Sequence, residues 1–191
     1  GFAVVRDGDG AHFFHVDRGE FVRTLPDMGT VFDLGSGRFA SFTDGIGTIY
    51  STRRLSAERQ FSVGVRVDQL SRAGGVIAVA GPPLSSDYDR AETARIEVYE
   101  SGSYRLLYTL EAPFATEYVP QAVYDARVTG LAVSDDGRHV SLLTEWRDGF
   151  GRAVVDTKEA RVFDPSGALV SGIRYDDRDA SSVAFAVDDQ D

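Results

Sequence analysis

The sequence predicts an all-β chain built from about four similar units, each of four antiparallel strands. Three observations predict it. Helical periodicity is almost absent, and the apolar residues come in short runs rich in Val, Phe, Tyr and Ile, bounded by Gly, Asp and Ser. One phrase, RVTGLAVSDDGRHVSLLTE (127–145) followed by EARVFDPSGALVSGI (159–173), reads as strand, Asp-Gly turn, strand, long loop, strand, Pro-Ser-Gly turn, strand. Parts of that cadence recur earlier in the chain, and internal repetition selects a repeat architecture over a sandwich or barrel.

Taken in order, the first unit lacks its first strand. It opens on FAVV, turns at Asp7-Gly8-Asp9-Gly10, and continues through AHFFHVD, Arg18-Gly19 and EFVRTL. The second unit reads TVFDL, GSG, RFASFTDG, TIYSTRRL and RQFSVGVR. In the third, Ser71-Arg72-Ala73-Gly74 matches the first turn of the template. VIAVAG (76–81) then supplies the second strand, ARIEVYE (94–100) the third and YRLLYTL (104–110) the fourth. The fourth unit is the template: VTGLAV (128–133), SDDG, RHVSLLTE (138–145), EARVFD (159–164), PSG and ALVSGI (168–173). Ser71 to Ser134 spans 63 positions and Ala94 to Ala160 spans 66, so the two units stay nearly in phase.

Four such units form a β-propeller. The last residues, SSVAFAVDDQD (181–191), resemble GLAVSDDG and read as the strand missing from the first unit. Such a strand closes the ring and removes an exposed edge. A larger ring cut at this phase would give the same pattern. The chain is expected to be one propeller domain over residues 1–191, and a piece of something longer, since Gly1 is no translation start and Met28 is the only methionine.

On Ser134-Asp135-Asp136-Gly137 within its apolar strands, and on Asp164-Pro165-Ser166-Gly167, the chain resembles the broad propeller-repeat class of WD-repeat and YVTN-type proteins. It lacks the Gly-His and Trp-Asp pairs of true WD repeats. The resemblance implies fold rather than activity. The chain is also similar to propeller domains carried by membrane transport or sensor proteins, which implies an extracytoplasmic, periplasmic placement.

Composition narrows the partners. Thirty acidic side chains against twenty basic ones give a net charge of −10, which disfavours nucleic acid. Nineteen of the twenty basic residues are Arg, and Asp outnumbers Glu by 21 to 9. GC-rich coding or salt adaptation would each produce that bias, and much of the Asp sits in turns. No cysteine occurs, so disulfides, thiolate metal sites and cysteine nucleophiles are excluded. No segment reaches the ~20 apolar residues of a membrane-spanning helix.

Strand direction locates the functional end. In antiparallel units the first and third turns lie at one end, and the remaining connections at the other. The first class is tight (SDDG, DPSG, ESGS, DRG). The second holds the long irregular stretches 82–93, 111–126, 146–158 and 174–180. Long loops on a rigid scaffold are where binding concentrates. These stretches carry Tyr88, Arg90, Tyr118, Tyr124, Trp146, Arg147, Phe150 and Arg152, the residue types enriched in protein interfaces, together with Phe114. Loop aromatics that fold back to plug the channel mouth are the competing reading.

Chemical signatures are weak. His12 and His15, at i and i+3, point to opposite faces of a strand and cannot share a metal. His139 stands alone. Asp7-Gly8-Asp9-Gly10 fails the calcium-loop pattern, because Ala11 and His12 occupy its fifth and sixth positions. Asp176-Asp177-Arg178-Asp179 and Asp188-Asp189 read as solvated acidic loops. Gly45-Ile46-Gly47 is no dinucleotide fingerprint, since Tyr50 stands where the third Gly belongs. No phosphate loop or nucleophile elbow occurs, and no metal or cofactor is expected.

The expected function is therefore a non-enzymatic scaffold that binds a protein partner, or another domain of its parent chain, through the long-loop face. A solute- or ligand-sensing extracytoplasmic domain of a membrane transport protein (ABC permease-like) or sensor is the alternative, with arginines holding an anion. A hydrolase or lyase using carboxylates is the second alternative.

Overall fold

The computed structural model describes residues 1–7, 9–86, 92–114, 123–150 and 153–176, with backbone alone for 123–125, 147–150, 153–157 and 175–176. The described residues form fifteen strands in four antiparallel sheets, and no helix is long and apolar enough to cross a membrane. The chain divides into two compact units, Gly1–Val63 and Gly64–Asp191.

The first unit holds two sheets. β1 (Phe2–Asp7), β2 (Gly10–His15) and β3 (Glu20–Leu25) form a three-stranded sheet, matching the missing first strand of the sequence reading. The segment 181–191, expected to fill that place, lies outside the described residues. β4 (Thr30–Gly35), β5 (Arg38–Thr43), β6 (Ile46–Ser51) and β7 (Ser56–Ser62) form the second sheet in sequence order. Alternating residues turn inward, and Ala11, Phe13, Leu25, Met28, Phe39 and Leu55 make one core. The Phe13 and Phe39 ring centroids lie 5.2 Å apart, and Phe39 stacks on Tyr50 at 5.0 Å. Such pairs stabilise beyond their buried area.

The second unit holds the third and fourth sheets. β8 (Gln69–Ala73), β9 (Val76–Gly81), β10 (Thr93–Glu100) and β11 (Leu106–Pro113) form the third. β12 (Val123–Val133), β13 (Val140–Phe150), β14 (Ala153–Phe163) and β15 (Leu169–Asp176) form the fourth. Ala78, Ala80, Ile96, Val98, Leu110 and Phe114 of the third face Val128, Leu142 and Phe163 of the fourth in one core. The alanines of β9 keep that interface thin enough for larger side chains opposite to interdigitate.

The two sheets bring like ends together. At the tight-turn end the Tyr108 hydroxyl donates to the Gly137 carbonyl at 2.5 Å. Burial, and then the Asp136 charge, push that hydroxyl up to about 12. A Cβ on Gly74 (φ +48°) would lie 2.5 Å from the Asp135 carbonyl oxygen, so only glycine fits. At the other end the Thr144 hydroxyl donates to the Phe114 carbonyl at 3.3 Å.

A repeat that residue patterns do not reveal sits on the outer strands. β3, β7, β11 and β15 each carry one unpaired extra residue near the start: Val22, Glu58, Leu107 and Val170 respectively. A bulge twists the outer edge and blunts it against pairing with another chain. Its recurrence in all four sheets is the clearest mark that they are copies of one design.

Two readings of the sequence need correction. Ser71, Arg72 and Ala73 belong to β8, and the turn is Gly74-Gly75 alone, with Ala73 paired to Val76. The left-handed Gly74 allows a two-residue loop there, so the Ser71 match to Ser134 fails in space. Most of 146–158 is strand rather than loop. The β13–β14 ladder runs from Val140↔Phe163 through Trp146↔Thr157 to Phe150↔Ala153. Asp148-Gly149 looks like a turn signal but lies within that ladder, and only 151–152 separate the strands. Residues 123–126 and 174–176 are likewise strand.

Candidate functional site

The end of the fourth sheet opposite the tight turns carries the most unusual chemistry among the described residues. Alternation along β13 puts Val140, Leu142, Thr144 and Trp146 on one face, and their partners on β14 are Phe163, Arg161, Glu159 and Thr157. β15 adds Arg174, paired to Glu159. The face therefore begins apolar at the turn end and becomes polar and charged toward Trp146. Thr144, Trp146, Glu159 and Arg161 are all buried, the last two being charged residues that are seldom buried without partners.

Arg161 leans along β14, so that its Nη2 donates to the Thr144 hydroxyl at 3.4 Å. Its Nε lies 3.9 Å from a Glu159 oxygen, too long for a hydrogen bond but close enough for charge attraction. The guanidinium also lies 5.6 Å from the Phe163 ring centroid. Burial lowers its proton affinity and the Glu159 charge opposes that effect. Arg174, exposed at the sheet edge, places its guanidinium 5.6 Å from the centre of the Trp146 ring.

Two buried donors here have no acceptor among the described residues: Trp146 Nε1 and Arg161 Nε. Buried polar atoms are almost always paired, because desolvation without a new hydrogen bond is costly. Nothing in the spacing of Trp146 and Arg161 reveals this. Arg161 reads as an ordinary alternating strand residue, and only the pairing register brings it to Thr144.

A second buried charge is fully satisfied. Glu97 accepts from the Tyr99 hydroxyl at 2.5 Å, the Gly64 amide at 2.9 Å and Arg95 Nε at 3.0 Å. Burial and the Glu97 hydrogen bond push the Tyr99 hydroxyl well above its ordinary value. This cluster pins the chain entering the third sheet, so its role is structural. In the first sheet His12 bridges Thr24 Oγ1 (2.9 Å) and Asp7 Oδ2 (2.9 Å), while His15 stacks on Phe2. The two histidines thus serve separate partners. No cluster of three or more potential metal ligands occurs among the described residues.

Of the side chains expected to bind a partner, Tyr88, Arg90, Tyr118 and Arg152 lie outside the described residues. Tyr124, Arg147 and Phe150 have their backbone in β12 and β13, with Tyr124 paired to Arg147 and Phe150 to Ala153. Trp146 is 1% exposed and Phe114 is also 1% exposed. Both are packed inward rather than presented to solvent.

Neither a family model nor a curated protein matches the chain. Solved structures do. Hydrazine synthase from Kuenenia stuttgartiensis superposes with a TM-score of 0.60 at 9% identity, over 92% of this chain and 51% of that one. A chain of the mitotic checkpoint complex matches with a TM-score of 0.50 at 13% identity, over 89% of this chain and 62% of that one. KlAtg21, in complex with the coiled-coil of AgAtg16, gives 0.50 at 16% identity, with 90% of this chain and 52% of that one covered. This chain thus spans between about half and three-fifths of those chains. At such identities the likeness is one of fold, and that fold is the β-propeller, as the strand cadence predicts.

Proposed function

We propose that this chain is a non-enzymatic β-propeller scaffold, one domain across residues 1–191, that binds a protein partner or another domain of its parent chain. The binding end is the one that carries the long connections. The observation that carries this reading is the asymmetry between the two ends of the blades. The tight turns are closed by their own hydrogen bonds, as at Ser134–His139 and Asp164–Ala168. The opposite end holds the connections at 82–92 and 114–122 and the extended ends of β12, β13 and β14, which at 11 residues each are longer than any other described strand. Support also comes from the solved neighbours, two of which are complexes with other proteins by their titles. The hydrazine synthase neighbour is an enzyme by its title.

In this reading Tyr88, Arg90, Tyr118, Tyr124, Arg147, Phe150 and Arg152 form the contact surface. Trp146, buried at the base of the β13–β14 hairpin, holds that hairpin in place. The test is a matched set of charge reversals. Once a partner is captured with the wild-type chain, its affinity is measured for Arg90→Glu, Arg147→Glu and Arg152→Glu. The control is Arg138→Glu at the tight-turn end, where the side chain is 78% exposed. The long-connection variants should each weaken binding by roughly tenfold or more, against less than about twofold for the control. Equal weakening at both ends, or loss at Arg138 alone, would overturn the reading.

A further inference from the structure

We propose that Arg66 is a positioning residue of the recognition end. It fixes the base of the connection at 82–92, and so sets the direction in which the chain leaves Ser86 for Tyr88 and Arg90. This role rests on the reading that the long-connection end binds a partner, and every residue in it belongs to the second unit.

Before β8 begins, the segment 64–68 runs antiparallel to 80–84, beyond the ladder that joins β8 to β9. The Asp68 amide donates to the Ala80 carbonyl (2.9 Å), the Arg66 amide to the Pro82 carbonyl (2.9 Å) and the Leu84 amide to the Gly64 carbonyl (3.1 Å). Val65 is bridged to Pro83 between them. A Cβ on Gly81 would lie 1.8 Å from the Arg66 carbonyl oxygen, so this close approach of the two segments needs glycine. Buried Val65 and Val67, and the Glu97 carboxylate on the Gly64 amide, hold 64–68 against the sheet. Pro82 and Pro83 fix two φ angles on the facing side.

Ser86 is then held from both sides. Its amide (3.1 Å) and its hydroxyl (2.7 Å) both donate to the Pro83 carbonyl, closing a turn over 83–86. Its own carbonyl accepts from Arg66 Nη2 at 2.6 Å, from a residue twenty positions earlier in the chain. The local bonds shape the turn, and the guanidinium orients it against the sheet. Such a bond is charge-assisted and stronger than one between neutral groups. A loop held in one geometry before it meets a partner loses less ordering entropy on binding.

Hydrogen exchange read by mass spectrometry tests the brace on the full chain with no partner present. Arg66→Met keeps the apolar stem and loses every side-chain donor. In that variant the amides of Leu84 and Ser86 should exchange at least about tenfold faster, the worth of one charge-assisted bond. The strands Val76–Gly81 and Thr93–Glu100 should keep their wild-type rates. Arg66→Lys retains a charged donor and should recover most of the protection, which a side chain that only fills space would not require. Arg66→Gln, neutral and shorter, carries the test if Arg66→Met does not fold. Unchanged exchange at 84–86, a rise spread evenly through the third sheet, or equal rates in Arg66→Met and Arg66→Lys would overturn the brace. The same variants then enter the affinity series of the charge reversals, where Arg66→Met should weaken binding roughly fivefold and Arg66→Lys less. Faster exchange at 84–86 with unchanged affinity would overturn the role in recognition. Failure of the underlying reading shows separately, as unchanged affinity in Arg90→Glu, Arg147→Glu and Arg152→Glu alike.

Discussion

The two ends of the fourth sheet are built in opposite ways. At the turn end the turns close on themselves through local hydrogen bonds, and Tyr108 to Gly137 and Val133 to Ser71 join the two sheets there. The Ser134 hydroxyl donates to Asp136 Oδ1 (2.8 Å) and accepts from the His139 amide (2.9 Å), and Asp136 accepts from the Arg138 amide (2.8 Å). Asp164 alone accepts the Ser166 amide (2.9 Å), the Ser166 hydroxyl (2.6 Å) and the Ala168 amide (3.0 Å). At the far end the contacts cross strands and sheets: Arg161 to Thr144, Thr144 to Phe114, Arg174 to Trp146. A local end specifies itself through a few consecutive residues and exposes little that can change. The far end exists only when the ladder is in register, so it depends on residues distant in sequence.

The largest effect should come from the far end. Trp146→Ala removes the largest fully buried side chain and should cost about 3–5 kcal/mol of unfolding free energy, read as a lower denaturant midpoint. A loss below about 1 kcal/mol would mean that the indole is not packed as described. Thr144→Val comes next. It keeps the shape but removes the donor to the Phe114 carbonyl and the acceptor of Arg161 Nη2, for a cost of about 1–3 kcal/mol. If the valine variant is as stable as wild type, the cross-sheet contact contributes nothing and the contrast between the ends weakens.

The same contrast explains what could be read in advance. The all-β class, the tight turns and the strands around Ser134–Gly137 and Asp164–Gly167 follow from residues adjacent in sequence, and the structure has them where the cadence puts them. Among the described residues the first sheet has three strands, as the opening on FAVV implies. Residues 146–158 could not be read, because Asp148-Gly149 carries a turn signal that the extended β13–β14 pairing overrides. Ser71-Arg72-Ala73-Gly74 misled for a related reason: the turn needs only the left-handed Gly74, not an acidic residue. Arg161 was invisible as a site residue, since its significance lies in a register shared with Leu142 and in a reach toward Thr144. The bulges at Val22, Glu58, Leu107 and Val170 share no residue type, so only the ladders reveal them.

At the turn end the effects should be smaller. Gly137 has φ +71°, and a Cβ there would lie 3.0 Å from Val76 Cγ1. Gly137→Ala should therefore cost about 1–2 kcal/mol through left-handed strain, with the tight side contact adding to it. Because the strain falls on the turn and its contacts with Val76 and Tyr108, all at the turn end, the fluorescence of Trp146 in the folded variant should stay unchanged. A shifted emission would show that the two ends are coupled.

The smallest effect is the one with the clearest sign. The Asp164 carboxyl is held below its ordinary value of 3.8, first by the Ser166 hydroxyl and then by the Ala168 amide, both of which favour the charged form. A group whose folded value is depressed stabilises the fold above its unfolded value, and that contribution disappears as pH falls through the folded one. Asp164→Asn keeps an oxygen acceptor without the charge. The gap in urea midpoint between wild type and this variant should be widest at neutral pH, and should close as the solution is acidified below the ordinary carboxylate value. Comparing the two proteins cancels the other carboxyls, which titrate alike in both. A gap that stays constant from neutral to acid pH would mean that Asp164 acts through its shape and not its charge. The turn would then owe its local stability to backbone geometry alone.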